Sequence, residues 1–364
     1  MSAAYTHNRI GQVGYDFIFV SHLPSFYKIN LLNEIAKNAS ILVIFLGETS
    51  HERAADFVKG EKKFDYLYLN SGDFEQRSRW VSSLRLLRIL RKLSYKLISV
   101  GAWDLPESWL TILYSPIHKN VLAQETSIFE SELTGWKGLL KRIFTKRLGL
   151  ALVSGEPHSR LMRSLGFDGQ IAVTGGVGLA NRPEFKWKQR SKFSGRFLYV
   201  GRLSPEKNLA FLLRVFALPE MMKFHLTLAG NGPARAALQA LAGRNVAFIG
   251  HVPNEKIQEI YASHDVFILP SISEPWGLVV EEALYYGLPV LASSKVGSVV
   301  DLVLTYGAGL SFDPYSELSL QKAIELVSVQ YEQFANATQA IDFAERDKAQ
   351  VRVYVEAINM GLAK

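Results

Sequence analysis

The stretch RFLYVGRLSPEKN, Arg196 to Asn208, decides the fold. A short apolar run ends at Val200, Gly201 breaks it, and a helix-period stretch starts near Asn208, as a strand, a turn and a helix would. Working outward, the same alternation recurs: His225 to Ala229, then a helix from Ala234; Val246 to Ile249, then one from Asn254; Val266 to Leu269, then one from Trp276; and Val290 to Ala292. Repeated strand and helix units of this kind build a doubly wound, mainly parallel sheet. Upstream, strands are read at Tyr15 to Val20, Ile41 to Phe45, Tyr66 to Leu69, Lys96 to Val100, Asn120 to Ala123, Leu150 to Val153 and Ile171 to Val173. Helices between them include Lys28 to Asn38 and Ser78 to Leu93. Periodicity dissolves over Gly175 to Phe193, which reads as a linker, and Phe334 to Met360 is helical by composition. The fold class is therefore α/β, with two Rossmann-like domains expected at 1–180 and 181–345 and a C-terminal helix, 346–364, packing back on the first.

The chain has 364 residues, 48% hydrophobic and 21% charged, which suits two globular domains and excludes a collagenous or wholly disordered chain. With no cysteine there is no disulfide framework, thiolate nucleophile or Cys-ligated zinc. No leader-like segment or bilayer-length apolar run is present, so a cytoplasmic protein is expected. The net charge of +7 is uneven: residues 1–185 hold 23 Lys and Arg against 17 Asp and Glu, a net of +6, and the remainder nets +1.

Two stretches of the second half carry chemistry. In Gly201-Arg-Leu-Ser-Pro-Glu-Lys207 a loop leaves the carboxyl end of a strand and enters a helix, bringing two cations. Exposed backbone N–H groups with Arg202 and Lys207 beside them suit a diphosphate. In SISEPWGLVVEEAL, Ser271 to Leu284, Pro275 reads as an early helical position, which puts Glu274 at the helix mouth and Glu282 two turns in. Eight helical residues span roughly 12 Å, the reach of a diphosphate plus one sugar ring. Carboxylates accept hydrogen bonds from vicinal hydroxyls, so Glu282 could hold a ribose and Glu274 a sugar. The bland alternative has Glu281 and Glu282 exposed and Glu274 as a cap. Val279, Val280, Ala283 and Leu284 instead mark a buried helix, where adjacent acids are costly unless something uses them.

Four blocks in order, YVGRLSPEKN, LAGNGP, FIGHVPNEKIQEIYASHDVFILPSISEPWGLVVEEAL and YGLPVLASSKVGS, resemble the C-terminal domain of GT-B fold, retaining glycosyltransferases of family 4 (glycosyl transferases group 1). The resemblance implies two domains facing across a cleft that holds the active site. It also implies transfer of a sugar from a nucleotide-diphosphate donor to a hydroxyl of a glycan or lipid-linked saccharide, as in bacterial cell-surface polysaccharide and lipopolysaccharide synthesis. By resemblance Arg202 and Lys207 hold the diphosphate, Glu274 contacts the transferred sugar and Glu282 binds the ribose. Gly277 and Leu278 bring backbone N–H groups to the phosphates, beside Gly201, while Gly230, Asn231, Gly232 and the segment at His251 border the base. No cofactor or metal is expected, and a UDP-sugar is favoured over a GDP-sugar. A sugar-nucleotide epimerase, a phosphorylase or a non-enzymatic nucleotide-sugar-binding protein are alternatives on the same fold; a phosphorylase would need a pyridoxal-phosphate lysine.

Resemblance is weak before Gly175. The loop Ser21 to Lys28 lacks the glycine many relatives carry, Gly175-Gly-Val-Gly178 replaces a usual Asn-Gly-Val-Asp, and Ser298 stands where a second glycine is common. His22, Tyr27, Asp104 and Glu125 are the acceptor candidates there. The basic surplus lies in SRWVSSLRLLRILRKLSYK (Ser78 to Lys96) and WKGLLKRIFTKRLG (Trp136 to Gly149). In the first, Trp80, Leu84, Leu87 and Leu90 or Arg91 recur at helical spacing with Arg85, Arg88 and Lys92 on another face, so peripheral contact with an anionic membrane is expected, on the inner face of the cytoplasmic membrane, the alternative being a packed helix with a solvated basic face. No nucleic-acid motif is present.

Overall fold

The computed structural model describes residues 14–51, 58, 60–184 and 192–361. The chain divides into two compact units, one running to Asn181 and resuming at Ala344, the other Arg182–Phe343. The stretch read as a linker includes residues 185–191, which lie outside the described ones.

In the first unit the strands are β1 (Gly14–Ser21), β2 (Ile41–Phe45), β3 (Asp65–Tyr68), β4 (Ser94–Val100), β5 (Asn120–Gln124), β6 (Leu150–Val153) and β7 (Gln170–Val173). The helices are α1 (Phe26–Ile35), α2 (Arg79–Leu90), α3 (Pro106–Tyr114), α4 (Gly135–Thr145) and α5 (Glu156–Ser164). All strand pairs are parallel, in the order β3-β2-β1-β4-β5-β6-β7, so the order reverses between β1 and β4. Strands covered on both faces need unbroken apolar runs, and β2, ILVIF, is buried along its whole length. On one face Ile18, Leu42, Ile44 and Ile98 pack with Leu86, Leu90, Ile112, Phe144 and Met162, which places α2 to α5 together on that side. On the other, Phe17, Phe19, Val43 and Phe45 pack with Ile29, Leu32 and Ile35 of α1.

In the second unit the strands are β8 (Arg196–Val200), β9 (His225–Ala229), β10 (Val246–Gly250), β11 (Val266–Leu269), β12 (Val290–Ser293) and β13 (Gly309–Phe312). The helices are α6 (Leu209–Phe216), α7 (Arg235–Leu241), α8 (Asn254–Ala262), α9 (Leu278–Tyr285), α10 (Glu317–Val329) and α11 (Tyr331–Gln339). The parallel order is β10-β9-β8-β11-β12-β13, reversing between β8 and β11. The last helix, α12 (Phe343–Met360), contributes Tyr354, Ala357 and Ile358 to the α1 face of the first unit's core.

Both sheets are the doubly wound parallel sheets expected, and every strand read from the apolar runs is present. Three expectations need correction. The terminal helical region is not one element but α11 and α12, separated after Gln339. Strand β13 was unread because its four residues open with Gly309, whose φ of 156° seats it against β12, where an added Cβ would lie 1.9 Å from the Val290 carbonyl oxygen. The third concerns α2: the outward stripe runs through Trp80, Leu84 and Arg91, with Val81 and Arg88 beside it, whereas Leu90 enters the core with Ser82, Ser83 and Leu86. Among the described residues no helix is long and apolar enough to cross a membrane.

A buried ion pair braces the first unit. Arg77 donates to Glu107 through Nε at 2.9 Å, both side chains are almost wholly buried, and the guanidinium lies 3.7 Å over the Phe74 ring. Removing one partner leaves an uncompensated buried charge, so Arg77→Met should cost about 3–5 kcal/mol, whereas Arg77→Met with Glu107→Leu should recover most of that loss. Urea unfolding of the single and double variants checks this; equal losses in both would refute it.

Candidate functional site

Ligands of open parallel sheets bind beyond the carboxyl ends of the strands, where the strand order reverses. In the second unit that point lies between β8 and β11, and the loops leaving these two strands carry the two motifs. The first loop turns at Gly201, makes one 3-10 turn at Pro205–Lys207, and enters α6 through Asn208, whose φ of 56° ends that turn before the helix begins. The second loop carries Glu274 in an isolated bridge to Val296 and reaches α9 through Gly277 at φ 89°.

The two loops meet. Lys207 Nζ donates to Glu274 Oε2, with both side chains largely shielded from solvent, and the Ile272 amide donates to the Glu206 carbonyl at 3.0 Å. Arg202 is exposed on the first loop, its carbonyl fixed by the Tyr199 hydroxyl at 2.8 Å.

Pro275 is not a helical residue, and α9 begins at Leu278, so Glu282 lies about one turn in rather than two and the 12 Å helical span does not apply. Gly277 sets this start: a residue at its positive φ cannot continue a helix backward, and a Cβ there would press on Glu274 Cγ and Val296 Cγ1 at 3.3 Å. The first N–H groups of α9 follow directly, the ones a helix start leaves without intrahelical partners.

The adjacent acids separate by environment. Glu281, far from exposed, is only 3% accessible, accepting from Trp276 Nε1 at 2.7 Å and Arg182 Nη2 at 2.9 Å. Glu282 is half-buried, and the Tyr261 hydroxyl donates to its Oε2 at 3.2 Å. Burial pushes its carboxyl from the ordinary 4.5 up to about 7; the Glu281 carboxylate adds to the rise, while the Tyr261 hydroxyl and Arg182 oppose it.

The loops after β8, β9 and β10 are laced together at the same edge. Gly201 N donates to the Ala229 carbonyl at 3.0 Å, Leu203 N to Asn231 at 2.9 Å and Gly230 N to Gly250 at 2.6 Å. An added Cβ would lie 1.8 Å from the Gly201 oxygen at Gly230 and 2.3 Å from the Leu203 oxygen at Gly232. These glycines are thus required by loop-on-loop packing before any ligand is considered. Asn231, which accepts from Arg235, and His251 are exposed on this rim.

The first-unit candidates are divided. His22 packs edge-to-face on Phe74 at 5.3 Å, and burial, then the Lys28 and Arg77 cations, drive its imidazole down to about 3, so it is neutral at pH 7. Glu125 pairs with Lys28 at 2.6 Å. Burial opposes the Lys28 charge, but the Glu125 carboxylate, with Tyr27 and Tyr354 adding to it, outweighs that and holds the ammonium above the lysine range. Tyr27 is a packing residue: its carbonyl accepts from Leu179, and it lies where a Cβ on Gly178 would stand, which explains the departure from the usual motif there. Asp104 is exposed and stands apart on the rim of a separate groove. Lys28 and Arg77 went unread as site residues; the only signal for Lys28 was its place at the end of the glycine-free loop. Among the described residues, the grouping that could hold a metal is His51, Asp73 and Glu75, on loops of the first unit, with Thr49 and Ser50 already donating to the two carboxylates.

Comparison with known proteins bears on the second unit first. Residues 181–341 match the family Glycosyl transferases group 1. Curated relatives include O-antigen chain mannosyltransferase B of Escherichia coli, 34% identical over 136 residues, 35% of each chain. The sulfoquinovosyl transferase SQD2 of Arabidopsis thaliana is 39% identical over 108 residues, 29% of this chain and 20% of that protein. The chain thus spans about a third or less of such curated relatives. Over nearly the whole chain the fold is like that of solved GT-B glycosyltransferases. The lipopolysaccharide outer core galactosyltransferase WaaB superposes with a TM-score of 0.67 at 14% identity, covering 93% of this chain and 99% of that one. Anabaena HepE in complex with UDP gives 0.62 at 15% identity, covering 95% and 98%.

The raised Glu282 carboxyl makes a stability prediction. Its folded value lies above its unfolded one, so ionisation destabilises the ligand-free protein increasingly as pH rises from about 4.5 to 7 and fully above that. Glu282→Gln should therefore raise the thermal midpoint more at pH 8 than at pH 4.5, where the gain should nearly vanish. A gain independent of pH, read by calorimetry across this window, would contradict the assignment.

Proposed function

We propose that this chain is a retaining glycosyltransferase of family 4. It moves a sugar from a nucleotide-diphosphate sugar, a UDP-sugar before a GDP-sugar, to a hydroxyl of a glycan or lipid-linked saccharide in the synthesis of bacterial cell-surface polysaccharide. The observation that carries this reading is the meeting of Lys207 and Glu274 at the strand-order reversal, with Arg202, the start of α9 and Glu282 on the adjoining segments. The group 1 match supports it, as does a fold neighbour solved with UDP.

On this reading the donor diphosphate takes Glu274's place as the partner of Lys207, with Arg202 and the α9 N–H groups adding positive charge. Glu274, released, accepts from hydroxyls of the transferred sugar. Glu282 accepts from the ribose hydroxyls, its other oxygen held by Tyr261. The bond from the anomeric carbon to the diphosphate oxygen breaks and a bond to the acceptor oxygen forms on the same face. The acceptor proton goes to the departing diphosphate, whose growing charge Arg202 and Lys207 stabilise. No side chain acts as general base in this path.

The acceptor is proposed to be membrane-borne. Trp136, Leu139 and Ile143 of α4 and Trp80 and Leu84 of α2 are exposed on helices of the same sheet face, among exposed Arg79, Arg88, Arg91, Arg142 and Lys146. An apolar stripe edged with cations complements an anionic bilayer surface.

Calorimetric titration with UDP-, GDP- and ADP-sugars tests the donor site. One should bind, UDP-sugars most tightly, and Arg202→Ala and Glu282→Ala should each weaken it by about ten-fold or more, near 1.4 kcal/mol. No heat with any of them would favour a non-enzymatic scaffold, and donor consumed without acceptor an epimerase. Sedimentation with phosphatidylglycerol vesicles tests the membrane contact: the wild-type chain should pellet, and Leu139→Glu with Ile143→Glu should stay in solution. A wild-type chain that remains in the supernatant at low salt removes that part of the reading.

A further inference from the structure

A groove of about 580 Å³, within the usual range for ligand sites, lies in the first unit between the loop after β4, the segment after β5 and the helix α4. Both segments leave carboxyl ends of strands, so the groove lies along the edge of the sheet on which this sheet type receives ligands, to the β4–β5 side of the reversal. Three indoles line it: Trp103, Trp109 and Trp136. Trp109 is locked, its Nε1 donating to the Trp103 carbonyl at 2.8 Å and its ring edge-on to Phe144. Trp136, in the first turn of α4, is 70% exposed and offers an open ring face.

The polar lining discriminates between ligand classes. It holds three carboxylates, Asp104, Glu130 and Glu132, against two ammonium groups, Lys137 and Lys141. Both lysines are already turned on Glu132, Lys137 Nζ to its Oε1 at 2.9 Å and Lys141 Nζ to its carbonyl at 3.0 Å, and Lys141 also lies over the Trp103 ring at 5.2 Å. A phosphate would meet a net negative wall with its cations engaged. A neutral, hydroxyl-rich ring meets what it needs: flat apolar faces for its C–H surface and carboxylates and ammonium groups for its hydroxyls.

We infer that this groove is a subsite for a neutral saccharide, stacked on Trp136 and hydrogen-bonded by Asp104. It rests on the glycosyltransferase reading only for the source of that saccharide, an uncharged portion of the acceptor glycan. Trp136 and Leu140 wall the groove while Leu139 and Ile143 lie exposed on the same helix, so one helix serves both the groove and the outer apolar stripe.

The test uses the full chain on a printed array of neutral and phosphorylated oligosaccharides, with UDP titrated in parallel. Neutral glycans should be retained; Trp136→Ala and Asp104→Asn should each lower retention by about ten-fold. Trp136→Phe should keep most of it, and UDP affinity and the thermal midpoint should be unchanged in all three. Retention of no neutral glycan, retention of phosphorylated glycans alone, or binding indifferent to Trp136→Ala and Asp104→Asn would each overturn the subsite. Glycan retention with no UDP binding would leave the groove standing and overturn the donor reading instead.

Discussion

The contact between Lys207 and Glu274 is what joins the two motif loops of the second unit. Two loops that leave β8 and β11 on either side of the reversal in strand order have no covalent reason to cooperate. The ion pair and the backbone bond from Ile272 to Glu206 tie them into one edge. Energetically such a pair is close to balanced: the attraction of two unit charges near a protein surface is about 4 kcal/mol at 4 Å, and taking both out of water costs several. A contact with little net stability can hold the loops in place and, on the donor reading, exchange its anion for a phosphate at small cost.

A similar economy separates Glu281 from Glu282. They are neighbours on α9, yet helical geometry turns successive side chains about 100° apart, so they cannot share an environment. Glu281 falls on the side where the Trp276 indole and Arg182 guanidinium wait and becomes part of the packing. Glu282 falls beside the Tyr261 hydroxyl, with one partner and a raised carboxyl. The burial that makes one acid structural leaves the other as the group with capacity to bind.

Much of this was legible in the sequence, because parallel strands buried on both faces write themselves as apolar runs, and all such runs became strands. The paired motifs were legible as well, since residue type and place after a strand determine which sheet edge they reach. What was hidden depends on positive φ or on long-range packing. The start of α9 is set by Gly277, not by Pro275, because a left-handed glycine interrupts the helix where a proline would have opened it. Whether the outward stripe of α2 closes on Leu90 or Arg91 was not legible, because the contacts that draw Leu86 and Leu90 into the core come from strands distant in sequence. The Lys28–Glu125 and Arg77–Glu107 pairs join residues 97 and 30 positions apart, and no local pattern announces them.

Those pairs also sort the first unit's positive charge. Arg77, Lys28 and Lys96 are each committed to a carboxylate, so they cancel locally and contribute little to the field outside. Several of the remaining cations, Arg79, Arg88, Arg91, Lys92, Arg142 and Lys146, are exposed on or just past α2 and α4, which share one sheet face. On the membrane reading each is worth about 1 kcal/mol near an anionic surface, an attraction that fades over a Debye length of about 8 Å at physiological salt. Charge of that range can gather the chain at a bilayer without holding it there, whereas the burial of Leu139 and Ile143, at roughly 25 cal/mol per Å² of apolar surface, does not weaken with salt. On that reading the two contributions act at different distances and coincide on one face, which would give the surplus of six charges in residues 1–185 a role in placing the chain at the surface.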